Sequence, residues 1–166
     1  MMVMKKKLSR IGFLAFISAF VFLCTGCLAG TEASASGVKH CSRQAEVEGA
    51  TMLMSYDIYY EGDYVTIIKS LEGITSDDQS LLDTYEEAWK KIYSQYEGID
   101  YYDNQVIRDD NSVICDTEIN YVKTDISKII EIEGEEDNIF ENGKVKLEKW
   151  LEFAEKLGVT CEDEES

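Results

Sequence analysis

The sequence predicts an α+β fold: a two-layer sandwich in which an antiparallel sheet of about five strands carries two main helices on one face. Three observations support this. Residues 44–71 and 99–122 are rich in β-branched and aromatic side chains with period-two patterning. Residues 77–96 and 144–157 instead have apolar side chains at helical spacing. Short connections favour antiparallel neighbours, and the resulting order is βββ-α-ββ-α.

The first three predicted strands form a meander. Residues 44–48 and 51–60 are extended runs on either side of Gly49, and a turn at 61–63 leads into a third strand at 64–71. One face of the second run is apolar and consists of Met52, Met54, Tyr56, Ile58 and Tyr60. We expect that face to point into the core.

A second hairpin is predicted to pair residues 99–108 with residues 112–122 across an Asp-Asp-Asn turn. In its later strand, Cys115 shares the less polar face with Val113 and Ile119. We therefore expect a buried free thiol that packs as a small hydrophobe. A reactive thiol would need cationic neighbours, whereas the next residue here is acidic.

Capping residues mark the predicted helices. Ser76 and Gln79 form a capping box that starts a helix over residues 77–96, and Gly98 stops it. Asp125 can cap a short turn that runs to residue 130.

The remaining C-terminal sequence is read as an acidic loop at 131–143, a last helix at 144–157 and a short edge strand at 159–161.

The N-terminus has the three-part layout of a secretory signal. Three lysines precede an uncharged apolar run from Ile11 to Leu23, and small residues follow. Translation can begin at Met1, Met2 or Met4. The run is far shorter than the roughly 20 residues needed to cross a bilayer core, which favours a cleaved signal over a permanent membrane span.

Residues 23–27, Leu-Cys-Thr-Gly-Cys, resemble a bacterial lipobox, although Leu is more usual than cysteine at position 24. In signals of that kind, the last cysteine receives a diacylglyceryl group and the peptidase cuts on its N-terminal side. The resemblance implies a signal peptide at residues 1–26, a lipid anchor on Cys27 and a location at the outer face of the cell membrane. Two or more acyl chains anchor a protein stably where one is marginal.

The chain after the signal divides into three parts. Residues 27–40 hold the lipidated cysteine and a small, polar, flexible tether. Residues 41–161 form a single α+β domain, in keeping with a length of 166 residues. Residues 162–166 are a short acidic tail.

The cysteines predict one disulfide. Cys24 leaves with the signal and Cys27 carries lipid, which leaves Cys41, Cys115 and Cys161. Outside the cytoplasm, a bond between Cys41 and Cys161 is chemically permitted and would tie together the two ends of the domain. No C-x-x-C pair remains, so neither a thioredoxin-like nor a zinc site is supported.

The charge excludes some partners. The formal net charge is −17, and removal of the signal leaves 12 basic against 33 acidic residues, a charge of −21. Such a domain repels phosphate backbones, so we expect no nucleic-acid binding. Adsorption to anionic lipid is disfavoured for the same reason. Solubility is the simplest interpretation of the acidity, and capture of cations or basic partners is the alternative.

Motifs for chemistry are scarce. The single histidine, His40, falls in the predicted tether, so a Ser-His-Asp triad is not credible. No phosphate-binding glycine-rich loop occurs. The acidic segments 109–111 and 133–138 lack the ligand spacing of an EF-hand and are read as solvated loops, with calcium binding as the alternative. We expect no cofactor, no metal and no enzymatic activity.

Tyrosines are the candidate binding residues. Aromatic side chains suit strands, so packing in the core is one interpretation. In the pairs Tyr59-Tyr60 and Tyr101-Tyr102, however, one ring must face away from the other. Rings on an open sheet face could bind a sugar or a peptide.

The phrases TMLMSYDIYYEGDYVT and SDDQSLLDTYEEAWKKIYSQYEGI, together with the lipobox, resemble the YehR-like bacterial lipoproteins, a family of unknown function. The resemblance covers about residues 41–157. It implies a lipid-anchored α+β domain and assigns no catalytic residues. This chain is more acidic and richer in tyrosine than is typical of that family.

The functional expectation is therefore a membrane-anchored, non-enzymatic binding or interaction module whose partner is an envelope protein, a sugar or a peptide. One alternative is a structural or assembly partner of an envelope complex. The other is an envelope hydrolase that uses two carboxylates with opposed pKa shifts.

Overall fold

The structure, a computed structural model, describes residues 35–47, 49–134 and 139–163. All of them lie in one compact unit, residues 32–166. The predicted signal peptide, the lipid site at Cys27 and most of the tether fall outside the described residues, as do 135–138 and 164–166. Within the described ranges, none of the helices has the length and apolar character needed to cross a membrane.

A six-stranded antiparallel sheet is the framework of the domain, with strand order β4-β5-β3-β2-β1-β8. Its strands are β1 (Gly37–Val47), β2 (Ala50–Glu61), β3 (Tyr64–Thr75), β4 (Tyr102–Asp109), β5 (Ser112–Asn120) and β8 (Thr160–Asp163). A two-stranded hairpin consists of β6 (Phe140–Glu141) and β7 (Lys144–Val145). The helices are α1 (Gln79–Tyr93), α2 (Ile126–Glu133) and α3 (Leu147–Lys156), and a 3-10 turn spans Ser94–Tyr96.

The helices pack on one face of the sheet, which we call the helix face. Leu82 of α1 is fully buried with Ile74 and Val113 of the sheet. On α3, the Trp150 ring meets the Tyr56 ring edge-on with centroids 5.3 Å apart. The predicted α+β sandwich is confirmed, with six strands in the main sheet because the C-terminal segment pairs with β1 as an edge strand.

Period-two patterning predicted the inward residues of the strands correctly. Tyr56 and Ile58 of β2 are buried on the helix face. The thiol of Cys115 is free, and the residue is 1% exposed, which confirms the expected buried cysteine. Burial of each large aliphatic side chain in such a core stabilises the fold by about 1.5–3 kcal/mol.

The predicted disulfide is present. Cys41 and Cys161 are directly opposite residues of β1 and β8, and their sulfurs are 2.09 Å apart. The bond attaches the four-residue strand β8 to the sheet. It also closes a loop with a sequence separation of 120.

The predicted tether is too long at its C-terminal end. Strand β1 begins at Gly37 and pairs with β2 without interruption as far as Val47. His40 therefore lies in a strand rather than in a tether, and its Nδ1 is 2.6 Å from Oδ1 of Asp57. The small polar residues of this segment carry little strand signal, and the long partner strand β2 decides their conformation.

The ends of α1 also differ from the prediction. Asp78, and not Ser76, caps the helix, because its carboxylate accepts hydrogen bonds from the N–H groups of Ser80 and Leu81. The hydroxyl of Ser76 instead accepts one from the N–H of Asp78. The α-helix ends at Tyr93, and the 3-10 turn replaces its predicted last turn.

Two further boundaries shift near the C-terminus. Helix α2 extends to Glu133, so the predicted acidic loop begins later. Lys144 and Val145 form strand β7 rather than the start of a helix, and α3 begins at Leu147.

Candidate functional site

A groove with a volume of about 450 Å³ opens between the C-terminal end of α1, the 3-10 turn and β4. We call it the tyrosine groove. It is lined by Lys90, Tyr93, Ser94, Tyr96, Glu97, Tyr102, Asn104 and Val106. Three of these eight side chains are tyrosines, so flat apolar ring surface and hydroxyl groups meet in one concave site.

Local structure explains why these side chains converge. Lys90 and Tyr93 are three residues apart on α1 and so lie on one side of the helix. Gly98 has a φ of 79° and turns the chain from the 3-10 segment toward β4. Along β4, Tyr102 and Asn104 alternate onto the helix face and meet the end of α1 there.

The tyrosine rings form a continuous aromatic wall. Tyr96 and Tyr102 are stacked, with centroids 4.6 Å apart and planes inclined by 10°. The Tyr93 ring lies beside the Tyr96 ring, with centroids 6.4 Å apart and planes inclined by 45°. Such ring pairs stabilise one another by about 0.5–1.5 kcal/mol beyond the area they bury, so the wall is pre-formed.

Cys115 lies beneath the groove. The side-chain amide of Asn104 donates hydrogen bonds to the Cys115 sulfur at 3.1 Å and to the hydroxyl of Thr117 at 2.5 Å. The hydroxyl of Thr117 is also 3.8 Å from the Cys115 sulfur, and the Tyr93 hydroxyl lies near enough to influence the pKa of the thiol. The thiol is thus partnered on several sides and lies buried behind Asn104 and Tyr93, which line the groove.

The electrostatics keep these groups neutral. Burial raises the pKa of the Cys115 thiol, and the hydrogen bonds from Asn104 and Tyr93 only partly oppose this shift. Burial also raises the pKa values of the Tyr93 and Tyr102 hydroxyls. At neutral pH the groove therefore presents protonated hydroxyls, and the sulfur buried behind it is a thiol rather than a nucleophilic thiolate.

An acid supports the central ring of the wall. The hydroxyl of Tyr96 donates to Oε1 of Glu133 at 3.1 Å. Burial raises the pKa of Glu133, while the hydrogen bond from Tyr96 lowers it by a smaller amount. On the other side of the cysteine, the Tyr56 hydroxyl donates to Glu72 at 2.8 Å, and Glu72 is the cross-strand partner of Cys115.

The four tyrosines singled out from the sequence do not form one site. Tyr102 lines the groove, whereas Tyr60 packs against Gly37 of β1. Tyr59 lies on the opposite face of the sheet, with the ammonium of Lys69 5.8 Å from its ring centroid. Tyr101 is 53% exposed.

Sequence reasoning missed Tyr93 as a binding residue and placed Tyr96 in the apolar stripe of a helix. A usable signal was present, because Tyr93 and Tyr96 recur at helical spacing just before the glycine that ends the segment. That spacing shows that the two rings share a side. It does not show that β4 brings a third ring to them.

Metal sites do not emerge from the described part of the chain, where no three His, Cys, Asp or Glu side chains are grouped to hold an ion. Residues 109–111 form the tight end of the β4–β5 hairpin. Most of the acidic segment 133–138 lies outside the described residues.

Comparison with protein-family models and with curated proteins finds no match. Among solved structures, the NMR structure of the E. coli YehR protein matches with a TM-score of 0.52 and 16% identity, over 80% of this chain and 96% of that one. The chain has a YehR-like fold. An NMR structure of a protein from Streptococcus pneumoniae TIGR4 is 12% identical, with 98% of each chain covered and a TM-score of 0.48. At these identities the likeness to YehR concerns the fold alone.

Proposed function

We propose that this protein is a membrane-anchored, extracytoplasmic binding module without enzymatic activity, and that it binds its ligand in the tyrosine groove. The observation that carries the proposal is the wall of three tyrosine rings in a concave site of about 450 Å³. The ligand class that suits it presents a flat ring face, as a sugar or an aromatic peptide side chain does.

The chemistry of the groove supports binding over catalysis. The thiol and the hydroxyls are held in their neutral forms by burial. Glu97 is the single carboxylate among the described residues that line the groove. A two-carboxylate hydrolase requires a second acid facing the first across the substrate.

The lipobox supports the proposed location. Cys27 would carry the lipid, and strand β1 begins ten residues later, at Gly37. A chain of that length reaches at most about 35 Å. The domain would therefore stay close to the outer surface of the membrane, as the family resemblance to YehR-like lipoproteins also implies.

Groove binding is tested by NMR titration of the ¹⁵N-labelled full chain in nonionic micelles with N-acetylglucosamine and, separately, with phenylalanine amide. We expect amide shifts around Asn104 and Val106, and a dissociation constant about tenfold higher in Tyr96→Ala, because a stacked ring surface is lost. Tyr101→Ala is the matched control and should bind normally, since Tyr101 is not among the groove residues. If neither probe shifts groove amides at millimolar concentration, binding of this ligand class is refuted.

Lipid anchoring is tested by labelling cells with radioactive palmitate. We expect the wild-type chain and Cys24→Ser to carry the label and Cys27→Ser to lose it, because only the second cysteine is the proposed acceptor. Label retained in Cys27→Ser would contradict the anchor.

A further inference from the structure

The side of the sheet opposite the helices, which we call the open face, carries a second surface of interest. The three helices pack on the helix face, and none of the described helices covers the open face. Sheets with one covered face commonly expose a polar surface on the other. Here the strand register shows that the open face is not uniformly polar.

An apolar strip crosses the middle of the open face. Ile107, Ile114, Gly73 and Leu53 are successive cross-strand partners on β4, β5, β3 and β2. Leu71 lies two residues from Gly73 on the same face. Ile107 is 40% exposed, and the side chains of Ile114, Leu53 and Leu71 are partly exposed. We call these five residues the apolar strip.

Gly73 has no internal structural explanation. It is not among the glycines with positive φ, and the pairing of β3 is regular on both sides of it. A Cβ at this position would meet its nearest neighbours, the Val113 carbonyl oxygen and Ile114, at 3.8 and 3.9 Å, which is ordinary contact. A glycine inside a strand weakens it and often marks a point where another backbone or ligand approaches closely. Gly73 is itself buried between its cross-strand partners Leu53 and Ile114, so the strip passes over it with no side chain of its own at this point.

Carboxylates surround this strip. Among the described strand residues, the register places eight acidic side chains and one lysine, Lys69, on the open face. The acids are Glu46, Asp57, Glu61, Asp103, Asp109, Asp116, Glu118 and Glu162. Among the described residues, Nδ1 of His40 contacts the Asp57 carboxylate and Lys69 forms an ion pair with Glu118, whereas no ion pair engages Asp103, Asp116 or Glu162. The carboxylates that have no ion-pair partner attract cations. Because they lie beside an apolar strip, the surface favours a ligand that is both cationic and partly apolar.

We propose that the open face is a docking surface for a cationic protein segment, which places apolar side chains against the apolar strip and Lys or Arg side chains against the flanking carboxylates. The partner chemistry follows from charge complementarity. A second copy of this chain does not fit, because a two-fold contact would set the same acids against each other. This surface lies on the opposite side of the sheet from the tyrosine groove and does not depend on the groove's function.

The test uses the full chain in nonionic micelles and a labelled nine-residue peptide of alternating lysine and leucine, with fluorescence anisotropy as the readout. A peptide with glutamate in place of lysine is the probe control and should not bind. NMR amide shifts should map the lysine peptide to β2, β3 and β5 on the open face. Shifts confined to the helices or to the groove would overturn the proposal.

Two matched pairs of charge reversals separate local recognition from bulk attraction. Asp116→Lys with Glu118→Lys changes the open face, whereas Glu87→Lys with Glu152→Lys makes the same charge change at exposed positions on α1 and α3. We expect the first pair to raise the dissociation constant at least tenfold and the second less than threefold. If both double variants raised the dissociation constant equally, binding would depend on net charge alone, and the proposal would be overturned.

The variant Gly73→Leu tests the apolar contact without changing charge. A Cβ fits at this position, so the variant should fold, and its thermal midpoint reports whether it does. A leucine side chain raised above the strip at this point should keep the peptide from lying flat on it and weaken binding about fivefold or more. Unchanged affinity in the folded variant would refute the role of Gly73. If Gly73→Leu fails to fold, Leu53→Ser is the second variant, with the same expected loss and the same interpretation.

Discussion

Removing the disulfide is the most informative perturbation of the fold. In the double variant Cys41→Ala with Cys161→Ala, the unfolded chain regains the conformational entropy that the disulfide-closed loop removes. The sequence separation is 120, for which the chain-entropy model gives a loss of about 5 kcal/mol. Domains of this size are typically stable by only about 5–15 kcal/mol, so the loss is a large share of the total.

The assay is urea denaturation of the full chain in nonionic micelles, followed by tryptophan fluorescence. Trp150 is buried against Tyr56 and therefore reports separation of α3 from the sheet. Wild-type protein reduced with dithiothreitol is the matched control, because it loses the bond and keeps both sulfur atoms. We expect the reduced protein and the double variant to lose 2–5 kcal/mol each, the range typical of native disulfides. A loss below about 1 kcal/mol in both would refute the loop-closure argument.

Three further predictions concern single side chains. Asp78→Ala should lower the free energy of unfolding by about 1 kcal/mol, measured by urea denaturation, because two N–H groups of α1 lose their cap; Ser76→Ala should cost less. Cys115 should resist alkylation by iodoacetamide in the folded chain and react readily in urea, because burial both shields the thiol and raises its pKa; rapid labelling of the folded chain would contradict this. Glu133→Gln should stabilise the chain at pH 7 and have little effect at pH 4. The folded-state pKa of this acid is raised, so its contribution to stability is lost as pH rises from the unfolded value of about 4.5 through the folded one. If the free energies of unfolding of wild type and Glu133→Gln differ by the same amount from pH 4 to pH 7, the raised pKa of Glu133 is refuted.

Local patterns predicted what depends on neighbours in the chain. The alternation through Tyr56 and Ile58 gave the buried face of β2, because side chains of a strand point to opposite sides in turn. The same rule placed Cys115 in the core. The disulfide was also foreseeable, since the predicted export signal and lipid site account for two of the five cysteines and the first and last of the rest flank the domain.

Cap and boundary errors arose where several polar residues compete locally. Ser76 and Asp78 both have side chains that can accept from helix N–H groups. The Ser76 hydroxyl bonds to Gly49 and to the N–H of Asp78 instead, and Asp78 caps the helix. At the other boundary, Gly37 and His40 look like tether residues by composition. They are strand residues because β2 offers an uninterrupted partner.

By itself, the sequence determined the α+β class, the inward faces of the strands and the pairing of Cys41 with Cys161. Tertiary structure alone decided the two candidate surfaces. The tyrosine groove exists because α1 docks beside β4 and brings Tyr93 to Tyr102. The strip around Gly73 exists because the register of four strands aligns residues that are up to 61 positions apart in the chain, from Leu53 to Ile114. Periodicity reports which side a residue faces, whereas register and docking depend on contacts between distant segments, for which a single sequence carries no periodic signal.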